Sequence, residues 1–148
     1  GRKMKWESVA IDRLRDYEKR KLAVENIPEQ IAILEDKFIS IRAATTDGTP
    51  VQDSNNRREE MLIYNIARRE ELKQNYKLAV REVALTEKGL AALTSEEREI
   101  LEGFYIYRTK NYVNRLCDEL YVSKTELYRR KDAALRNFTV AIYGIVEL

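Results

Sequence analysis

Basic side chains are concentrated near the carboxyl end of this 148-residue chain. Between residues 124 and 136, five lysine or arginine side chains accompany two carboxylates, a local excess of three positive charges: Lys124, Arg129, Arg130, Lys131 and Arg136 against Glu126 and Asp132. Three further cations precede them: Arg108, Lys110 and Arg115. A local patch of this kind suits an anionic polymer, and the phosphates of double-stranded DNA are its natural complement.

The composition limits other kinds of chemistry. The chain has no histidine and a single cysteine, Cys117, which excludes histidine-assisted nucleophilic catalysis, ordinary zinc sites and an intramolecular disulfide. Most of its 25 carboxylates lie three or four residues from a lysine or arginine, which indicates ion-paired helix surfaces rather than a metal-dependent nuclease. We therefore expect no catalytic residues, no metal and no cofactor in a protein that is not an enzyme.

The formal net charge of the whole chain is only +2. Nucleic-acid binding would therefore depend on the local patch, because an overall positive field is not available. No run of about 18 apolar residues is present to span a membrane, and no secretory leader opens the chain. These features, with the sparing use of cysteine, predict a cytoplasmic protein with no membrane partner.

The elements that position these cations are predicted to be helices, since 5 Gly and 2 Pro are few for an all-β fold. Helical spacing of apolar residues predicts a first helix over residues 6–25 and a second over 28–44. Asn26-Ile27-Pro28 is expected to separate them, because Pro28 cannot continue a hydrogen-bonded helix but suits the first turn of a new one.

A polar segment, residues 45–56, contains almost no large apolar group and is predicted to be an exposed, flexible loop. The third helix is then expected to begin with Asn56 as its N-cap and Glu59 at the capping-box position, and to run to Leu93. Residues 1–93 would thus form an N-terminal domain of long antiparallel helices, similar to a helical hairpin or a coiled coil.

The third helix carries an apolar stripe with alternating spacings of four and three, the 3.5-residue period of a coiled-coil-like seam: Leu72, Tyr76, Ala79, Val83, Thr86, Leu90 and Leu93. Such a seam needs a partner helix. The partner is either the first two helices of the same chain or a second copy, and both can hold at once. Gly89 interrupts the stripe's helix at a cost of about 1 kcal/mol relative to alanine, which allows a bend there.

Residues 94–148 have closely spaced helix signals. A capping box at Thr94–Glu97 opens one helix, Arg108 to Asn111 forms a loop, and the next helix spans Tyr112–Leu120. After a turn at Tyr121-Val122, a second capping box at Ser123–Glu126 opens a helix that extends to about Tyr143. Two helices joined this tightly, with the small Cys117 at their crossing, fit the helix-turn-helix pattern, whose second helix enters a major groove of DNA.

The outward side of that pattern is predicted to bind DNA. Lys124, Thr125, Tyr128 and Arg129 lie in the first turns of the second helix, with Lys131 and Arg136 further along. The upstream cations Arg108, Lys110 and Arg115 lie on the approach to it. Taken together, the pattern and the charges favour contact with a duplex.

Three stretches carry a resemblance to a known family: LTSEER at 93–98, CDELYVSKTELYR at 117–129 and AALRNF at 133–138. They resemble the C-terminal DNA-binding region of bacterial sigma factors. More narrowly, the whole chain resembles phage late-gene transcription regulators of the ArpU and RinA type, found in phages and prophages of Gram-positive bacteria. That group also has a charged helical N-terminal half, a polar loop and a sigma-like C-terminal helix-turn-helix.

The resemblance implies base contacts by Lys124, Thr125, Tyr128 and Arg129, with Ser123 near phosphate at the helix start. The chain departs from the family pattern at three positions. Tyr121 stands where many helix-turn-helix proteins use glycine, Arg130 stands where an apolar residue is common, and Glu126 replaces a residue that is often basic. These differences bear on the target sequence more than on binding itself.

The tail from Val140 to Val146 is unusually apolar. It either folds back across the body or contacts a second subunit, and we favour a homodimer contact. The predicted protein is an all-α transcription regulator that reads promoter-proximal DNA with residues 123–131, while its long helices dimerise or contact host RNA polymerase. The alternative is an oligomeric assembly protein, such as a small DNA-packaging subunit of the terminase type.

Overall fold

The computed structural model describes residues 5–44 and 52–147, and most of these residues are helical. Helix α1 is Trp6–Ala43, α2 is Gln52–Ala91, α3 is Ser95–Leu101, α4 is Tyr112–Leu120 and α5 is Lys124–Tyr143; a π-helical turn at Glu102–Ile106 continues α3. The predicted all-α class is confirmed, and the N-terminal half consists of long helices as expected, although there are two of them in the described residues and not three. Within the described ranges, no helix is long and apolar enough to cross a membrane.

The chain forms two compact units. The first, here called the body, holds the residues up to Arg20 and those from Arg81 onward; the second, here called the hairpin, is Lys21–Val80. Each long helix contributes one segment to each unit, so the units follow spatial contact rather than chain order. The division at residue 93, expected from the change in sequence character, stays a prediction.

Two clusters of buried apolar residues form the core of the body. One joins α1, α2, α3 and α5: Ala10, Leu14, Leu90, Leu101, Ala134, Leu135 and Phe138. The other joins α3, the π-helical turn, α4 and α5: Ile100, Phe104, Leu116 and Leu127. Helix α5 contributes to both, which fixes it against the long helices and against α4 at the same time.

The predicted break at Asn26-Ile27-Pro28 is wrong, because α1 continues through it with Pro28 inside the helix. Pro28 is exposed, and the half-buried positions before and after it, Val24 and Ile31, continue one face. Proline removes one backbone hydrogen bond at a cost of about 3 kcal/mol. The half-buried face of α1 that continues through Pro28 packs against α2 and offsets that cost. Local sequence alone does not predict this packing.

The predicted start of the third helix is also wrong. Helix α2 begins at Gln52, so Asn56 is a helical residue and not an N-cap. No glycine or proline occurs between residues 52 and 56, and polar residues adopt helix at small cost once a helix is nucleated beside them. The last five residues of the predicted loop 45–56 are therefore helical, and the rest of that loop lies outside the described residues.

The apolar stripe of α2 packs within the chain. Its seven positions are all buried or half-buried, and Ala79, Thr86 and Leu90 are the most deeply buried. Helix α2 remains continuous through Gly89, where the sequence allowed a bend. A Cβ atom on Gly89 would lie 2.5 Å from Ile142 Cδ1 and 2.7 Å from Phe138 Cε2. Glycine therefore makes room at this position for the Phe138 and Ile142 side chains of α5.

In the hairpin, α1 and α2 run antiparallel. Asn65 of α2 is buried and donates a hydrogen bond to the Leu34 carbonyl of α1 at 2.8 Å. Arg69 donates to the Asn65 side-chain oxygen at 2.9 Å, and its guanidinium lies 5.0 Å from the centre of the Phe38 ring. The predicted apolar positions of α1 here, including Leu34 and Phe38, are half-buried.

The apolar tail folds back across the body of its own chain. Gly144 ends α5 in the left-handed conformation, with φ 79°, and the Trp6 backbone N–H donates to the Val146 carbonyl at 3.0 Å. The Trp6 and Tyr143 rings stack with centroids 5.0 Å apart. Of the two predicted arrangements of this tail, the fold-back is the one observed.

Replacing Gly89 with valine is expected to lower the free energy of unfolding by about 1–3 kcal/mol, because the added atoms overlap Phe138 and Ile142. The matched control is Ala84→Val, an exposed position on the same helix, which changes only helix propensity and costs less than about 0.7 kcal/mol. Urea unfolding followed by circular dichroism measures both variants. Equal losses would contradict a close approach of α5 at Gly89.

Candidate nucleic-acid interface

Helices α4 and α5 are joined by only three residues, Tyr121-Val122-Ser123. Leu116 of α4 and Leu127 of α5 are fully buried in one cluster, and Cys117 and Val122 pack at its edge. These four side chains belong to one cluster, and a close crossing of the two helices at Cys117 stays a prediction. The packing fixes the first turn of α5 relative to α4 and leaves its end exposed.

The turn contains a residue in a conformation that favours glycine. Tyr121 has φ 56° and ψ 46°, in the left-handed region, and its side chain is 94% exposed. The departure from glycine noted in the sequence is therefore accommodated with strain, about 1–2 kcal/mol for a residue with a Cβ atom. The Val122 N–H donates to the Cys117 carbonyl at 3.1 Å, which closes the end of α4.

Only one of the two hydrogen bonds of the predicted capping box is formed at the start of α5. Ser123 accepts a hydrogen bond from the Glu126 backbone N–H at 3.2 Å, as predicted. The reciprocal half of the expected capping box is not formed, because the Glu126 carboxylate binds Arg129 at 2.5 Å and Arg130 at 2.9 Å instead. At Thr94 and Glu97, by contrast, both halves of the predicted box are present.

Three of the predicted DNA contacts, Thr125, Arg129 and Lys124, are exposed but differ in whether a carboxylate pairs with them. Thr125 and Arg129 are exposed and four residues apart, so they share one face of α5 with Arg136. The Arg129 side chain is 68% exposed but ion-paired with Glu126. Lys124, next to them, is exposed, and no described carboxylate is within ion-pair distance of it.

Lys131 does not face outward as expected. Its side chain is only 18% exposed, and its ammonium lies 2.7 Å from Asp132 and 5.8 Å from the Phe104 ring centre. Although partial burial lowers the pKa of Lys131, the hydrogen bond to Asp132 raises it, and the net shift is upward. Tyr128, which lies beside it, is half-exposed and packs edge-on against Phe104 at 5.6 Å.

Arg136 is distant from the first turn of α5. Twelve residues of helix separate it from Lys124, about 18 Å along the axis. It lines a pocket of about 390 Å³ near the chain ends together with Lys5, Glu7 and Glu147. The structure therefore groups Ser123, Lys124, Thr125, Tyr128 and Arg129 in one place and puts Arg136 elsewhere.

The upstream cations lie around the start of α4. The Arg108 guanidinium stacks over the Tyr112 ring at 4.6 Å and donates to its hydroxyl at 2.8 Å. Arg115 donates to the Thr109 hydroxyl at 2.7 Å. Both side chains and that of Lys110 are exposed, and Arg115 also lies 3.8 Å from the Glu119 carboxylate.

Acidic side chains of α3 border this surface more closely than the sequence indicated. Arg130 reaches 34 residues back along the chain to form an ion pair with Glu96, and Asn137 donates to Glu97 at 2.5 Å. A hydrogen bond with Glu119 raises the pKa of Glu99, and burial adds to the rise. No local signal predicts these contacts, because they depend on how α3 packs on α4 and α5.

Comparison of the chain with protein-family models, with curated proteins and with solved structures finds no match in any of the three. Among the residues that the structure describes, no group of three or more acidic or cysteine side chains is placed to hold a metal ion.

The Glu126 carboxyl is expected to titrate far below its ordinary range. Hydrogen bonds from Arg129 and then Arg130 lower its pKa from 4.5 to about 2. Because the Glu126 pKa is lower in the folded chain, its ion pairs stabilise the folded chain above pH 4.5. This stabilisation is lost as the pH falls through about 2. Carboxyl NMR of the folded protein measures the titration.

The Arg129→Ala variant is expected to move the Glu126 pKa upward toward 4.5, and Arg129→Lys to move it less. The Glu97 pKa serves as the internal reference: burial raises it, the hydrogen bonds from the Thr94 backbone N–H and Asn137 lower it further than that, and none of these involves Arg129. A Glu126 pKa unchanged by Arg129→Ala would show that this pair is not formed in solution.

Proposed function

We propose that this chain is a sequence-specific DNA-binding transcription regulator of phage or prophage late genes that acts with host RNA polymerase. The observation that carries the proposal is the exposed first turn of α5, capped by Ser123 and fixed by the buried Leu116 and Leu127. A rigid helix end with Lys124, Thr125, Tyr128 and Arg129 on it suits insertion into a major groove. The sigma-like resemblance of residues 117–129 supports the same reading.

The ion pairs on α5 are compatible with this role because they are exposed. An exposed pair such as Arg129–Glu126 contributes little to stability, because solvent screens the two charges. Arg129 therefore exchanges Glu126 for a guanine edge or a phosphate at small cost, whereas a contact to the correct base is worth about 1–3 kcal/mol. Glu126, released from Arg129, is itself able to accept from the amino group of cytosine.

The partners in this proposal are double-stranded DNA, host RNA polymerase and a second copy of the chain. A dimer would place two copies of α5 on two half-sites about one helical turn, 34–36 Å, apart. The upstream cations Arg108, Lys110 and Arg115 would contact phosphate on either side of each groove. The host cytoplasm is the compartment where such a regulator would act.

An oligomeric assembly protein, such as a small DNA-packaging subunit, is the second candidate. The observation that favours it is the apolar surface of the hairpin, where Ile33, Ile39 and Ile63 are each more than half exposed. The mass in solution separates the two functions. Two copies favour the regulator, whereas eight or more favour a ring-forming packaging subunit.

Arg129→Ala is expected to weaken binding to the preferred duplex by about 1–3 kcal/mol and to relax the sequence preference at one position. The preferred duplex is first selected from a random library with the parent chain. Fluorescence anisotropy at fixed salt then compares the selected duplex with a scrambled one. An equal loss on both duplexes would make Arg129 a phosphate contact.

The matched control is Lys73→Ala. Lys73 is also an exposed cation paired with a glutamate three residues away, Glu70, but it lies on the hairpin. It is expected to leave both affinities unchanged. A parent chain that binds no duplex even at low salt would overturn the proposed function.

A further inference from the structure

The hairpin has little core of its own. Among its described side chains only Asn65 and Ala79 are buried, while the body has two buried apolar clusters. Nine of the sixteen large apolar side chains that are exposed in the described chain belong to the hairpin. Each hairpin helix has a single neighbour there, which leaves its apolar face half covered.

One face of the hairpin forms a groove of about 380 Å³. Its apolar wall consists of Leu34 and Ile41 from α1 and Met61 and Tyr64 from α2. Met61 is 44% exposed and Tyr64 is 60% exposed. A second depression of about 260 Å³ continues from Ile41 and Met61 toward Ser54. The groove is thus bordered by apolar side chains that themselves project from it.

The rim of the groove carries both signs of charge. Lys37 and Arg57 are cationic and Glu60 is anionic. In a contact with two-fold symmetry, the same patch of each copy faces the other, so its charges must be complementary to themselves. A patch with both signs meets this condition by pairing Glu60 of one copy with Arg57 of the other. A purely acidic or basic rim would instead repel its copy.

We infer that this groove is the interface between two copies of the chain, in which two hairpins pack as a four-helix bundle. Such a bundle gives each helix two neighbours and lets Met61 and Tyr64 of each copy fill the groove of the other. A stable contact needs about 800 Å² from each copy, more than the groove alone offers, so the contact would continue along both helices over the second depression. The inference specifies the homodimer of the proposed function and rests on that part of it alone.

The decisive comparison uses two glutamate substitutions on the same helix. Met61→Glu places a charge in the groove, whereas Ile63→Glu places one at a position that is 67% exposed and about 200° around the helix from Met61. Light scattering coupled to size exclusion measures the mass against the 17.4 kDa of one chain. The parent and Ile63→Glu are expected to have twice that mass, and Met61→Glu to be a single chain or to dissociate at least tenfold more readily.

A charge exchange at the rim gives a second test that does not alter the apolar wall. Arg57→Glu and Glu60→Lys are each expected to weaken the homodimer, because like charges then face one another. Mixed in equal amounts, the two variants are expected to form a heterodimer, detected by native mass spectrometry, since opposite charges meet again. This rescue does not occur if the substitutions only disturb folding.

Three results would overturn the inference: a parent chain that is monomeric at high micromolar concentration, equal masses for Met61→Glu and Ile63→Glu, or no heterodimer in the mixture. A monomeric parent would leave the groove to a helix of another protein. These measurements also distinguish a failure of the proposed function from a failure of this inference. A dimer that binds no duplex would remove DNA binding and keep this interface, whereas a monomer that selects a DNA sequence would do the reverse.

Discussion

The packing of the body depends on α5, one face of which is buried along the helix. Leu127 of α5 packs with α3 and α4, while Ala134, Leu135 and Phe138 pack with α1 and α2. Because one rigid helix belongs to both clusters, the direction of its exposed first turn is set by the full core and not by the short turn before it. Gly89 is part of the same constraint, since a Cβ atom there would overlap the Phe138 and Ile142 side chains of α5.

Charge is arranged more locally than the composition indicates. The five cations of α5 form a patch in the sequence, but Arg129, Arg130 and Lys131 are each bound to a carboxylate in the folded chain. Their positive field is therefore largely cancelled at a distance. Recognition that relies on such side chains acts at contact, where an ion pair can be exchanged, rather than by long-range attraction.

The parts of the structure that local chemistry determines could be predicted. The capping box at Thr94 and the limits of α5 follow from side chains within a few residues. Pro28 and Lys131 could not be predicted in the same way. The helix passes through Pro28 because of packing against a distant segment, and Lys131 is covered by Phe104 and Tyr128, which lie together only after folding.

The hairpin shows why a buried polar residue can be useful where packing is weak. Its apolar seam is half-buried, so a shift of one helix along the other would cost little in apolar contact. Asn65 resists such a shift, because its amide would lose the Leu34 carbonyl of the other helix, and an unsatisfied buried amide costs about 1–3 kcal/mol. Polar side chains at core positions fix register in coiled coils by the same means. A fixed register keeps Leu34, Met61 and Tyr64 on one side of the hairpin, which is the condition for that side to present a defined surface.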